Sequence, residues 1–177
     1  FLVFLDATGL RFQRWMLGRQ PAGPARLTAP LAGYALLSLA LLGSACLGIW
    51  YPAVIGGTVL LFLAWASGNI RASLAAWMAE IRVLMGTPGG FLPALAALPA
   101  FLLLAVPEVN VDCVQYHFAW PLQVLALHHM PMGQVFLFWN MPMAVEMPFI
   151  LFLPFGTDSA IRLALLGLAF CAGTAFL

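Results

Sequence analysis

Residues 31–49 read LAGYALLSLALLGSACLGI, a run without a single charge, and Trp50, Tyr51 and Pro52 follow it directly. A helix needs about 20 apolar residues to cross the hydrocarbon core of a bilayer. The run therefore predicts a membrane span. Aromatic rings with a polar edge settle at headgroup level, so the Trp-Tyr-Pro triplet predicts a turn at the interface. Residues 53–67 then read as the returning arm of a tight helical hairpin.

The same pattern extends outward in both directions. Residues 1–10 read as the tail of an earlier span. Residues 91–106 form a third apolar stretch that carries Pro93 and Pro99, which membrane helices tolerate when neighbours cover the freed carbonyls. Residues 143–155 and 161–177 read as two more spans. The expected architecture is all-α: a polytopic transmembrane helix bundle, one domain over residues 1–177, with an external loop over residues 107–142. Phe1 is not a methionine and Leu177 stands inside an apolar run, so the chain is expected to be part of a longer protein.

Composition supports this class. The chain is 64% hydrophobic and 7% charged, against about 25% charged for a soluble domain. All seven basic residues are arginines, and they are not clustered with aromatics as a nucleic-acid surface would be. Arg11, Arg14, Arg19 and Arg26 fall between the first two spans, and Arg71 and Arg82 fall between the hairpin and the Pro93 stretch. The positive-inside rule makes both connections cytoplasmic and residues 107–142 external. Cys46, Cys113 and Cys171 lack metal or redox spacing and read as apolar filler.

The external loop is apolar for a loop. Asp112, Gln115, Tyr116, Ala119 and Gln123 recur at helical spacing, with Val114, Phe118, Leu122 and Leu125 on the other side. That period predicts a helix lying in the membrane interface, kinked by Pro121 and ended by His128, His129, Pro131 and Gly133. Asp112 stands where the chain leaves the membrane. It reads equally as a functional carboxylate or as an acid favoured by a helix N-terminus. Glu146, in MPMAVEMPF, has little water around it at the outer end of its span. It must pair, bind a cation or be protonated. His117 beside Tyr116 reads equally as a partner of Asp112 in proton transfer or as an interface histidine bonded to backbone. His128 and His129 point about 100° apart on a helix and cannot share one metal, so headgroup or substrate-phosphate contact is expected of them. The tryptophans, Trp50, Trp65 and Trp120 among them, read as interfacial anchors.

VDCVQYHFAWPLQVLALHHMP (residues 111–131), followed by WNMPMAVEMPFILFLPFGTDSAIRLALLG (residues 139–167), resembles membrane glycosyltransferases of the GT-C superfamily. The relevant groups are the protein mannosyltransferases and the lipid A aminoarabinose transferases. The shared pattern is an Asp, a Tyr-His pair, a proline-and-glycine break, then a proline with a glutamate four residues on. Asp112, Tyr116, His117, Pro131 to Gly133, Pro142 and Glu146 follow that order. The resemblance implies a multi-pass protein of the bacterial cytoplasmic membrane with its active loop outward. It also implies inverting transfer of a sugar from a polyprenyl-phosphate donor to a glycan, lipid or protein acceptor. Asp112 would be the catalytic acceptor-activating carboxylate. Tyr116, His117, Asn140 and Glu146 would contact substrate, and Glu146 is the possible ligand of a divalent Mg or Mn ion. Asn140 departs from the family, some members of which carry a carboxylate there. Two other readings stay open: a non-catalytic structural membrane subunit, and a transporter fragment.

Overall fold

A computed structural model describes residues 1–18, 26, 28–87, 95, 98–99, 119–130, 146–152 and 158–175. Among the described residues every regular element is helical. The elements are α1 (Leu2–Leu17), α2 (Ala29–Cys46), α3 (Pro52–Gly86), α4 (Ala119–Leu127), a 3₁₀ turn (Met147–Leu151) and α5 (Asp158–Ala175). α2 and the Pro52–Val83 part of α3 are each long and apolar enough to cross a membrane.

α1 and α2 form the tightest pair. Gly9 packs on the backbone of Ala29, and Gly33 on the backbone of Leu5, so closely that a Cβ at either glycine would collide with a carbonyl. Since 9 meets 29 and 5 meets 33, the helices run antiparallel. Small residues allow this approach, and in lipid such backbone-to-backbone packing takes over from the hydrophobic effect as the force between helices. Gly18, at φ 66°, ends α1 in the left-handed conformation that glycine adopts without strain. Pro30 opens α2, where its missing N–H breaks no helical bond.

α3 departs from the expected hairpin. It runs unbroken from Pro52 to Gly86, 35 residues, instead of ending near residue 67. At 1.5 Å per residue that is about 52 Å, well beyond the roughly 30 Å hydrocarbon layer. Nor is the hairpin tight, because α3 packs mainly across α1 and touches α2 much less. Ala66 and Ser73 are the buried positions of that face, and Asn69 Nδ2 donates to the Ala7 carbonyl at 3.5 Å.

The core gathers Leu5, Leu37, Leu41, Trp50, Trp120, Val124, Met147, Ile150 and Leu168. Two tryptophans expected as interfacial anchors are therefore core residues, Trp50 and Trp120 having at most 1% exposure. Trp65, on α3, is partly exposed as an anchor should be. Cys46, read as filler, is free and exposed at the end of α2.

The expected span over 143–155 appears, where described, as the five-residue turn Met147–Leu151. Pro142, Pro148 and Pro154 recur every six residues. Of these, Pro148 falls within the described turn, where it lacks the N–H of a helical donor. α5 covers the described part of the expected last span. The expected span at 91–106 lies outside the described residues apart from positions 95, 98 and 99.

Candidate functional site

The described part of the expected external loop is α4 and the three residues after it. α4 ends where His128 takes φ 61°, as the His-His break predicts. Its buried face is Trp120, Pro121 and Val124, whereas Leu122 is 48% exposed. Of the expected apolar stripe, Leu125 packs against the core and Leu122 does not. Pro121 is buried in this helix, and the His117 carbonyl opposite which it was expected to kink the chain lies outside the described residues.

Residues 128–130 are wedged into the corner between α2 and α3. The Trp50 N–H donates to the His128 carbonyl at 3.1 Å, and the Met130 N–H donates to the Ala45 carbonyl at 3.2 Å. His128 Nδ1 lies 3.0 Å from the Trp50 carbonyl oxygen, which can only accept, so that nitrogen carries the proton. The ring also stacks on Tyr51, with centroids 4.1 Å apart. The Ala45 carbonyl, which also accepts from the Gly48 N–H at 3.1 Å, thereby takes a second donor from this later segment. The wedge also explains the open hairpin, since later chain occupies the space that a tight turn would close. The Nδ1 of His128 is thus committed to the protein's own backbone. His129 Nδ1 turns to the Met130 carbonyl at 2.9 Å.

Glu146 begins the 3₁₀ turn, and its carbonyl accepts from the Phe149 N–H at 2.9 Å. Its side chain is half-buried and interacts electrostatically with Tyr34. Tyr34 lies in the second turn of α2. Nothing in the periodicity singled out Tyr34. The available signal was a phenol inside an otherwise uncharged apolar run.

A second polar locus lies where α1 meets the start of α2. Asp6, with no exposure, receives both guanidinium nitrogens of Arg26, Nη2 to Oδ2 at 2.8 Å and Nη1 to Oδ1. Gln13 Nε2 donates to Thr28 Oγ1 at 2.9 Å beside it. Two charged groups that satisfy each other bidentately can be removed from water, so this locus reads as a fastening between helices.

Asp112, Tyr116, His117 and Asn140 lie outside the described residues. The described residues therefore bring together Glu146 and Tyr34 from the expected site region. They contain no group of three or more His, Cys, Asp or Glu that would hold a metal ion. Glu146 alone does not make a divalent-metal centre, which takes several oxygen ligands. No family model, curated protein or solved structure matches the chain.

Proposed function

We propose that the chain is part of a multi-pass membrane glycosyltransferase that moves a sugar from a polyprenyl-phosphate donor to an acceptor outside the bacterial cytoplasmic membrane. The observation that carries this reading is the wedge of His128 to Met130 in the α2–α3 corner. A structural subunit with a dispensable outer loop has no need to bury Trp120 and Val124 or to bond that loop to the bundle backbone. A catalytic loop does, because a base must be held within hydrogen-bond reach of the proton it removes.

In this reading Asp112 takes the proton of the acceptor hydroxyl as that oxygen attacks the anomeric carbon. The donor's phosphate leaves from the opposite face, which inverts the configuration. Tyr116, His117 and Asn140 orient the substrates. Glu146, half-buried near Tyr34, supplies the second carboxylate. A divalent cation with Glu146 among its ligands would supply neutralising charge to the phosphate.

The test replaces Asp112 with Asn in the full-length protein and follows transfer from a polyprenyl-phosphate sugar in membranes at matched expression. Transfer should fall by about 10²–10⁴-fold, the usual worth of a general base. Unchanged transfer would reduce Asp112 to a helix-terminal charge and end the proposal.

A further inference from the structure

Arg11, Arg14 and Trp15 occupy one face of α1, at spacings of three and four, and Trp65 of α3 stands across from them. Together these four residues line an open cavity of about 370 Å³. Among the described residues no carboxylate pairs with either arginine, since Asp6 is taken by Arg26. Trp15 is 74% and Trp65 38% exposed.

From this arrangement we infer that the cavity is a binding site for the phosphate headgroup of an anionic membrane lipid. Three features select that ligand. Two guanidiniums one turn apart present paired donors to phosphate oxygens. Their charge of +2 outweighs the roughly half-unit negative charge at the end of α1, which would otherwise repel an anion. The two indoles flank the cavity as rings do at headgroup depth, leaving lipid tails to lie along α3, most of whose surface is exposed. Basic pockets between membrane helices on the cytoplasmic side are the usual form of such sites, and Arg11 and Arg14 belong to the arginines that the positive-inside rule assigns to that side. The inference rests on α2 and α3 crossing the membrane and is independent of sugar transfer.

The test reconstitutes the protein in phosphatidylcholine bilayers containing a small fraction of spin-labelled phosphatidylglycerol. The immobilised fraction gives the preference for the anionic lipid. Wild type should prefer it, and Arg11→Gln with Arg14→Gln should remove the preference by about fivefold per arginine. Arg82→Gln, at the far end of α3, should keep it. Arg11→Lys with Arg14→Lys should fall between, because charge survives and the paired donors do not. Equal preference in wild type and the double Gln variant would overturn the site, as would displacement of the lipid by excess inorganic phosphate. Flotation with the vesicles reports membrane insertion separately: lost selectivity with retained flotation bears on the site alone.

Discussion

Arg26 closes both of its terminal nitrogens on the carboxylate of Asp6, a side chain with no exposure, 20 residues earlier in the chain. The pair fastens the start of α2 to α1 at the level where Gly9 meets Ala29. Removing one partner leaves the other buried and unanswered, at a cost of about 3–5 kcal/mol. Arg26→Met should therefore lower stability strongly in a denaturation series in detergent. Asp6→Leu combined with Arg26→Met should recover most of the loss. A double variant as unstable as Arg26→Met would show that the salt bridge is not what the position requires.

Three helical glycines give a graded prediction. At Gly33 an added methyl meets the Leu5 backbone, which cannot rotate away. Gly33→Ala should cost about 1–3 kcal/mol, the usual range for overpacking. At Gly167 the obstacle is the end of the Leu2 side chain, which can move, so Gly167→Ala should cost less. At Gly43 the space is open, and Ala should be neutral or stabilising by about 0.5–1 kcal/mol. Thermal melts of the three variants check the order.

His128 is predicted to hold α4 in place. His128→Ala removes the bond to the Trp50 carbonyl and the stack on Tyr51, and leaves a non-glycine residue in the left-handed conformation. Amide exchange in residues 122–127 should rise by about tenfold, the equivalent of roughly 1.4 kcal/mol, while protection within α2 stays near wild type. Equal protection of α4 would mean that the buried face of Trp120 and Val124 holds it alone.

Glu146→Gln tests the second carboxylate of the proposed transferase. Transfer should drop by about 10²-fold. If the cation belongs to this site, chelation lowers wild-type transfer, added Mg or Mn restores it, and the residual activity of Glu146→Gln ignores both. Full transfer by Glu146→Gln would remove this residue from the proposal and leave Asp112 to be judged separately.

The uncharged run at 31–49 was legible because lipid leaves so few alternatives to a helix, and the structure places α2 there with its corner at Trp50 to Pro52. The continuation of α3 through Arg71, Glu80 and Arg82 was hidden by reading charge as the end of a helix. Charge ends only the part buried in lipid, and ASLAAWMAEIRVLM (72–85) is rich in strong helix formers. Asp6 and Arg26 each stood in view, but nothing local couples an acid to an arginine 20 positions away; folding the two helices does. The same holds for Tyr34 and Glu146, which only packing of the 3₁₀ turn on α2 brings within reach. Of the expected site, the sequence located Glu146 along the chain, but apolar content alone did not distinguish the 3₁₀ turn that Glu146 begins from a longer span.

The wedge in the α2–α3 corner also sets an order of events. Trp50 emerges from the ribosome 78 residues before His128, an interval of about 4–16 s at ordinary synthesis speeds. During it, α2 and α3 are already made while the Trp50 amide and carbonyl still lack their partner. The corner is finished by a segment that the chain supplies only after the next apolar stretch has been delivered. The last bonds of the corner thus wait on residues 128–130, however early its two helices are made.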